Sequence, residues 1–546
     1  MTTSGKPIVS TVAIAALLVF VQASVQADAP GGYGNAVASA AASDEAPRLY
    51  DNLGDYSRNI TTVSERAQAY FDQGLRLAYG FARADAVRSF RAAQSEDPGC
   101  AMCYWGEAWA LGPYQNDPAG IGTSADARGA ARQALENKDG TAAWEQALIE
   151  AMAVRYPDAD NGGFATEAYA EAMAEALNAQ PDDQDLRTIY AEALMMFRPW
   201  DLHRRDNREV QPHPEARAAI EVLETVLAED LAHPGACHLY IHAVEAWEPR
   251  RAEACADLLA DGMPGVSHMQ HMPSHIYVHI GRLGDAVRAN EQAVMMDQAA
   301  KYDAGFSVYA AHNMGMLAFS AWLDGQSRVS LVAARELGRL SPDDAFHYPL
   351  TLARFGRWDE ILEREAEPDD DFQAAMWQFA RGLAHLRTDD RQAAGNALAF
   401  VQNVREETAE DATYGFFGHS KHDLLGVAQY VLAGEIAAAD GRLEEAETSL
   451  RRAIALEDGF PYAEPEPWHL PARHVLGVVL LDADRPEDAE VVYREALAVH
   501  PNNGWSLKGL EQSLAAQGKD EEARQAADDF AQAWERADVW LPASRF

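Results

Sequence analysis

The chain of 546 residues is 48% hydrophobic and 24% charged, which supplies enough apolar side chains for an extensive core and excludes a disordered protein. Its formal net charge is -40, because 85 acidic residues stand against 45 basic ones. Nucleic acid is therefore not an expected partner, since binding to phosphates needs clusters of Lys and Arg.

The first residues are typical of a secretory signal peptide, which we predict to span residues 1–27. Lys6 supplies the positive charge, residues 8–21 form a short apolar segment, and Ala27 ends a small-residue cleavage site before Asp28. We therefore expect the mature protein to begin at Asp28 and to be periplasmic or secreted. No comparable apolar stretch follows, so we expect no membrane span after the signal is removed.

The predicted mature N-terminus, residues 28–63, is rich in Ala, Gly, Ser and Asp. It lacks the sustained hydrophobic period of a helix or a strand. We therefore expect this segment to be loosely ordered.

A helix-turn-helix repeat with a period of 34 residues begins near Ala67. Large and small side chains follow its spacing at Tyr70, Gly74, Ala86, Phe90, Ala93 and Pro98. This pattern resembles the tetratricopeptide repeat (TPR), in which small residues let the two helices approach and the proline ends the second helix. The resemblance implies a right-handed α-solenoid with a concave groove.

Three large side chains of the next repeat, Met102, Trp105 and Trp109, occupy positions that face the groove according to the TPR resemblance. Two interpretations stay open. The side chains form an apolar, aromatic floor for a ligand, or they pack against neighbouring helices.

The four cysteines are candidates for disulfides because we expect the protein to be exported. Of the three pairings, we expect the local one, which joins Cys100 to Cys103 and Cys237 to Cys255. A bridge between Cys100 and Cys103 would cross one helical turn, which is geometrically awkward, so the formation of this bridge stays open.

Two histidines and a glutamate share one face of the repeat that starts at His233. His238, His242 and Glu245 form an H-x-x-x-H-x-x-E pattern, whose spacing places the three side chains on the same side of a helix. The TPR resemblance places this face beside the concave groove.

The repeat that starts at Ser267 presents four histidines to the groove, namely His268, His271, His275 and His279. They span roughly 16 Å of helix axis, so one ion cannot contact all of them. Pro273 lies within the same helix and predicts a kink. His312, early in the following repeat, is predicted to reach the same groove.

The most regular repeats are predicted near the C-terminus. They are marked by Gly434, Gly441, Ala446 and Ala453, then by Gly477, Ala489, Tyr493, Ala496 and Pro501, and then by Gly518 and Ala523. Residues 461–471 interrupt the period and predict a proline-containing loop. The sequence therefore predicts an all-α solenoid of about ten helical hairpins, with an irregular TPR-like array over residues 64–366 and a C-terminal TPR array over residues 367–546.

Four further segments are similar to those of an uncharacterised bacterial family of TPR proteins. They are CAMCYWGEAWALGP from Cys100, HPGACHLYIHAVEA from His233, HMPSHIYVHIGR from His271, and RFGRW from Arg354. This resemblance implies no activity, so the function has to be argued from individual residues.

Imidazoles on neighbouring helices commonly bind transition metals, because the i and i+4 spacing brings two ring nitrogens within reach of one ion. The predicted ligands are His238, His242, His271 and His275, with His268 and His312 beside them. Glu245 is predicted to be a further ligand or a catalytic base. Zinc or iron suits histidine with a carboxylate, and nearby methionines leave copper open. We therefore predict a metal-binding protein or a metalloenzyme.

Two other functions stay open. The groove, with His279 on its wall, suits a peptide or protein partner of a non-catalytic envelope scaffold, because repeat proteins commonly bind proteins. The third interpretation is a small molecule bound on the floor near Trp105. The sequence has no phosphate-binding loop, nucleophile elbow or Rossmann fingerprint, which argues against nucleotide or serine-hydrolase chemistry.

Overall fold

The computed structural model describes residues 47–157, 163–206, 209–364, 368–415 and 417–546. The predicted signal peptide, its cleavage site and the first part of the mature N-terminus lie outside these residues. Within the described ranges, no helix is both long enough and apolar enough to cross a membrane.

The N-terminal half of the described chain is a succession of α-helices. They are α1 (Glu65–Tyr79), α2 (Arg83–Glu96), α3 (Ala101–Leu111), α4 (Ser124–Glu136), α5 (Ala143–Arg155), α6 (Thr166–Ala179), α7 (Gln184–Met195), α8 (Pro214–Glu229), α9 (Pro234–Val244), α10 (Glu253–Gly262), α11 (Ser267–His271), α12 (Pro273–Ile280) and α13 (Leu283–Ala300). A short antiparallel pair of strands, β1 (His203–Asp206) and β2 (Glu209–Pro212), lies between α7 and α8.

The C-terminal half continues the succession. Its helices are α14 (Ala310–Leu323), α15 (Ser327–Leu340), α16 (His347–Arg354), α17 (Trp358–Glu363), α18 (Asp371–Arg387), α19 (Arg391–Glu407), α20 (Lys421–Ala439), α21 (Leu443–Glu457), α22 (Ala472–Asp482), α23 (Pro486–Val499), α24 (Gly504–Ala516) and α25 (Asp520–Ala533). A second antiparallel pair, β3 (Thr413–Tyr414) and β4 (His419–Ser420), precedes α20. Helices pack mainly against their neighbours in sequence, which confirms the predicted all-α array of helical hairpins.

Glycines set the distance between the first hairpins. A Cβ on Gly74 of α1 would lie 2.7 Å from the ring of Phe90 on α2, and a Cβ on Gly106 of α3 would lie 2.4 Å from the same ring. Carbon atoms do not pack that closely, so only glycine fits on either side of the ring. The alternation of small and large residues that predicts the repeat is therefore a packing requirement.

Two hydrophobic cores run along the array. The first extends from Leu53 to Phe355 and includes Trp505 from the C-terminal end. The second begins at Phe346 and extends into α25. It thus begins ahead of the predicted boundary between residues 366 and 367, because α16 and α17 pack against α18.

The C-terminal helices contact residues from the middle of the sequence. Asn502 donates a hydrogen bond from Nδ2 to the backbone oxygen of Gly281 (3.2 Å), and Arg536 forms an ion pair with the buried Asp324 (2.7 Å). Each contact joins residues more than two hundred positions apart, at separations of 221 and 212 residues. These contacts place loops of the C-terminal array against the N-terminal helices.

The segment before α1, residues 47–63, has no helix or strand but is held firmly. Leu53 is fully buried, the backbone N–H of Tyr50 donates to Gln73 (2.9 Å), and Arg58 pairs with the buried Asp185. The prediction of a loosely ordered segment is therefore wrong for these residues. Their partners are distant in sequence, so composition does not reveal them.

Both local disulfides are present, which confirms the expected pairing. Cys100 is bonded to Cys103 (Cα–Cα 5.4 Å), and Cys237 on α9 is bonded to Cys255 on α10 (Cα–Cα 5.1 Å). Cys100 is the N-cap residue of α3. The first bridge therefore lies at the start of the helix, where the backbone is not yet helical.

Candidate metal centre

Four helices bring the predicted histidines together. His238 and His242 lie on α9, His268 and His271 on α11, His275 on α12, and His312 on α14. The kink predicted at Pro273 is a complete break between α11 and α12, because proline has no backbone N–H to continue the hydrogen-bond ladder. The helix that carries the histidines after Ser267 is thus two short helices.

The rings are shielded from solvent. Residue exposure is 0% for His238 and His271 and does not exceed 3% for the others on α9, α11 and α12, apart from the partly exposed His279. His312 is partly buried. Since a buried imidazole loses its hydrogen bonds to water, the partner of each nitrogen decides what the cluster can bind.

His238, His242 and His268 form a first group, which we call triad A. One nitrogen of each ring lies within 4.8 Å of the other two, and Nε2 of His238 is 3.1 Å from Nε2 of His268. Nδ1 of His238 lies 2.6 Å from the backbone oxygen of Tyr79. A carbonyl oxygen only accepts, so Nδ1 carries the proton. The Nε2 lone pair of His238 therefore points into the triad.

Aromatic residues with unusual backbone conformations enclose triad A. Phe81, Trp200 and Tyr309 place their ring centroids 4.2, 5.7 and 5.0 Å from the nearest imidazoles. Their φ angles are 58°, 64° and 58°, in the left-handed region. Such conformations cost a non-glycine residue about 1–3 kcal/mol and persist only where the surroundings impose them. The fold thus holds three strained residues around one group of histidines.

His271, His275 and His312 form a second group, triad B, whose nitrogens also lie within 4.8 Å of one another. Nε2 of His271 is 2.7 Å from Nε2 of His275, and Nδ1 of His271 is 2.7 Å from Oδ1 of Asn290. Asn290 donates from Nδ2 to the carbonyl of Ala286 (2.9 Å), so its oxygen faces His271 and accepts. The Nε2 lone pair of His271 therefore points into triad B.

Two buried carboxylates face Nδ1 of His275. Oε2 of Glu245 lies 3.2 Å away, and Glu464 forms an ion pair with the same nitrogen. Burial lowers the pKa of His275, but the charges of Glu464 and Glu245 outweigh burial and raise this pKa to about 10. The ring is therefore an imidazolium that directs Nδ1–H to the carboxylates and Nε2–H to His271, so Nε2 has to lose its proton before it can bind a metal ion.

Four of the other imidazoles, those of His238, His268, His271 and His312, are neutral at physiological pH. Burial, reinforced by the neighbouring rings, lowers the pKa of His238, His268 and His271 well below the ordinary value. Burial and the charge of His275 lower the pKa of His312 to about 3. Neutral imidazole is the form that binds metal ions, so these rings need not lose a proton to do so.

Several buried nitrogens of triad A have no hydrogen-bond partner among the described residues. They are both ring nitrogens of His242 and Nδ1 of His268. The carboxylate beside His242 belongs to Glu245, with Oε1 3.7 Å from Nδ1. Leaving a buried polar atom unsatisfied costs about 1–3 kcal/mol, and native proteins seldom do so. A metal ion is a partner that would satisfy such a nitrogen.

Glu464 could not be found from sequence patterns. It lies in the predicted loop between α21 and α22, and its contact with His279, which has a separation of 185 residues, exists only because the solenoid returns on itself. The only local signal is a glutamate between rigidifying prolines, Pro461 and Pro465. His279 itself belongs to neither triad, because its Nε2 faces Glu464 and Tyr462.

A cavity of about 790 Å³ reaches triad B. His312 and Glu464 line it on one side, and His347 lines it on another. Glu245 does not line it, since this carboxylate lies beyond the ring of His275. The role of Glu245 as a ligand or a catalytic base stays a prediction, since its carboxylate forms a group with His275 and Glu464 whose ligand atoms lie within 4.8 Å of one another.

The aromatic floor proposed for Met102, Trp105 and Trp109 is wrong. Each side chain is 1% exposed within the first core, and the rings of Trp105 and Trp109 stack at 5.5 Å. Nε1 of Trp109 donates to the buried Glu192 (2.6 Å). Neighbouring helices cover α3 on all sides, so the packing interpretation holds.

The four main predicted ligands do not belong to one group. His238 and His242 belong to triad A, whereas His271 and His275 belong to triad B. The boundary between the two sets falls within α11, because His268 completes the first set and His271, three residues later, belongs to the second set with His275 and His312. The structure therefore brings together all six predicted ligands, but as two groups of three.

No family model matches the chain, and no curated protein matches it. Among solved structures, the APC/C hetero-tetramer Cut9-Hcn1 is similar at 13% identity with a TM-score of 0.30, covering 82% of this chain and 76% of that chain. The TPR domain of P58(IPK) is similar at 13% identity with a TM-score of 0.21, covering 83% of this chain and 99% of that chain.

Proposed function

We propose that the protein binds transition-metal ions through triads A and B. The observation that carries this proposal is the set of acceptors behind the rings: the Tyr79 carbonyl, the Asn290 side chain and the carboxylates at His275. Metal-binding histidines almost always donate their second ring N–H to such an acceptor, which fixes the tautomer and the ring orientation. The lone pairs of His238 and His271 are directed inward for this reason.

The donor set favours copper, zinc or iron. Triad A offers only imidazole nitrogens, which suit these metals, whereas magnesium and calcium prefer oxygen ligands. Triad B adds the negative charges of Glu245 and Glu464 behind His275, which would help to balance the charge of an ion. Glu245 acts here as a positioning residue.

We also propose that the protein works outside the cytosol. The two disulfides support this location, because such bonds persist in oxidising compartments and are rare in the cytosol. The predicted signal peptide agrees with the same location.

A small molecule is the ligand that we propose for the cavity beside triad B. Its volume of about 790 Å³ lies within the range of small-molecule sites. Residues 462–464 cover the groove face that carries His275 and His279, which leaves less support for an extended peptide in that place. A metalloenzyme acting on a small molecule thus has more support than a peptide-binding scaffold.

The test is the metal content of untagged protein purified from the periplasm. We expect copper, zinc or iron close to stoichiometric amounts by elemental analysis. Returning the metal to the chelator-treated protein should raise its stability, by about 2.7 kcal/mol at a free concentration one hundred times the Kd. Absence of bound metal together with no stabilisation by any of the three ions would overturn the proposal.

Matched variants separate the cluster from other histidines. His238→Ala and His271→Ala should lower the bound metal, because each removes an inward-facing lone pair. His385→Ala and His422→Ala should leave it unchanged, since these partly exposed residues lie outside both triads. Equal losses in all four variants would indicate adventitious binding to histidine in general.

A further inference from the structure

We propose that triads A and B form one dinuclear metal centre, with one ion held by each triad. This inference rests on the proposed function and goes beyond it in the number of ions, their proximity and their unequal access to small molecules.

Two ions are required by the separation of the donors. A metal ion binds imidazole nitrogens at about 2.0–2.1 Å, so two nitrogens on the same ion lie at most about 4.2 Å apart. Each triad approaches this limit, with nitrogens within 4.8 Å of one another. Among the described residues, no set of four side chains meets even the wider separation. Six imidazoles therefore provide two three-nitrogen sites, and the carboxylates of Glu245 and Glu464 form a further group with His275, the residue that they share with triad B.

The two sites are close to each other. Ring centroids of His268 and His271, which belong to different triads, lie 5.7 Å apart, and those of His242 and His275 lie 6.2 Å apart. Within the triads the same distance ranges from 4.6 Å to 6.1 Å. Rings of different triads are thus about as near as rings of one triad. Ions separated by a few ångströms, as in known two-metal sites, fit this arrangement.

The two ions would differ in what can reach them. Triad A lies behind Phe81, Trp200 and Tyr309, and none of its histidines lines the cavity of about 790 Å³. His312 of triad B does line it, next to Glu464. A small ligand with an oxygen or nitrogen donor would therefore approach the ion of triad B. The ion of triad A stays enclosed and supports its neighbour.

Copper(II) is a suitable probe, because it binds nitrogen sites more tightly than the other divalent ions of the first row. The chelator-treated full chain is loaded with copper(II) and desalted, and its copper content is compared with its electron paramagnetic resonance (EPR) intensity. We expect two coppers per chain and a signal well below that of two isolated ions, because the spins of adjacent ions couple. Azide should then perturb the spectrum, and the variant His312→Ala should weaken this effect.

Two double variants assign the ions. His238→Ala with His242→Ala should leave one copper in triad B, and His271→Ala with His312→Ala should leave one copper in triad A. Each remaining ion should give a full, isolated signal. Circular dichroism checks that each variant folds, and the measurement on the unaltered protein stands without them.

The outcomes are distinct. One copper per chain, or two with full independent signals, would overturn the dinuclear centre while leaving metal binding intact. Coupled pairs that survive in both double variants would overturn the assignment to these triads. A chain that binds no copper would overturn the dinuclear centre, and a chain that binds neither copper, zinc nor iron would overturn the proposed function as well.

Discussion

Two regions of the molecule pack an aromatic ring between two glycines of neighbouring helices, an arrangement that we call the interlock. The two regions differ in the side chains on their inner helices. In the N-terminal region Phe90 lies between Gly74 and Gly106, and in the C-terminal region Tyr493 lies between Gly477 and Gly509. A Cβ on either C-terminal glycine would lie 2.1–2.3 Å from the tyrosine ring. In both regions the aromatic residue follows the first glycine by sixteen positions and precedes the second by sixteen.

The shared interlock indicates that the repeat determines how the helices pack, whereas the side chains at inner positions can differ from one repeat to the next. Two buried histidines illustrate this difference. His474 on α22 is buried like His242, but Arg354 donates to its Nδ1 (2.9 Å) and its Nε2 bonds to the hydroxyl of Ser506 (2.8 Å). The protein itself therefore satisfies His474, whereas the nitrogens of His242 have no hydrogen-bond partner among the described residues. Burial alone therefore does not mark a ligand, because the protein itself can satisfy a buried imidazole.

The largest expected effect tests whether the two interlocks are equivalent. Phe90→Ala and Tyr493→Ala should each lower the free energy of unfolding by about 3–5 kcal/mol, because each leaves a large cavity between helices. Val491→Ala, on the same helix as Tyr493 but 57% exposed, is the control and should change it by less than about 0.5 kcal/mol. Chemical denaturation followed by circular dichroism gives these values. A large loss of unfolding free energy at one interlock and none at the other would show that the two interlocks are not equivalent.

The C-terminal repeats could be predicted from the sequence because their packing is local. Gly477 and Tyr493 contact each other across one turn of the array, so their spacing appears directly in the sequence. The histidines could also be found, because His238 with His242 and His271 with His275 follow the helical period. Local spacing thus predicted the helices and the six histidines that we propose as metal ligands.

The grouping of the ligands could not be predicted, because it depends on contacts between distant residues. The acceptors Tyr79 and Asn290 carry no sequence signal, since one acts through its backbone and the other is an ordinary helical residue. Glu464 reaches His275 only because the array closes on itself. Contacts between distant parts of the chain are not revealed by the local spacing of residues in the sequence.

Glu464 links the two regions, because this residue of the C-terminal region contacts His275 of the N-terminal region. Replacing it tests how far the C-terminal region supports the histidines. Glu464→Gln should weaken metal binding at triad B by about 10–100-fold, since a carboxylate behind a ligating histidine fixes its proton and orientation. The control is Glu466→Gln in the same loop, whose carboxylate faces His500 (3.3 Å). Metal titration of the two variants gives the affinities. Equal affinities would show that the loop covers the site without supporting it.

The smallest expected effect concerns His347, a buried histidine at the start of the second core. Its ring stacks on His469 (centroids 4.3 Å apart), its Nε2 lies 3.2 Å from the hydroxyl of Tyr414, and the carboxylate of Asp344 bonds to that hydroxyl. Burial lowers the pKa of His347 to about 3, against about 6.5 in the unfolded chain. Above pH 6.5 both states are neutral, so this residue gives no pH dependence there.

Below that pH the unfolded chain binds a proton at this residue and the folded chain does not. The free energy of unfolding therefore falls by about 1.4 kcal/mol per pH unit from this one group as the pH falls toward 3. His347→Gln should remove this share of the acid sensitivity, which is measured by chemical denaturation of the chelator-treated protein between pH 7.5 and pH 4.5. The chelator is needed because acid would release the metal that we propose for triads A and B, and the resulting loss of stability would add to the slope. If the two proteins lose stability equally over this range, the imidazole of His347 takes up its proton in the folded state. The second core would then tolerate a charged histidine at this position.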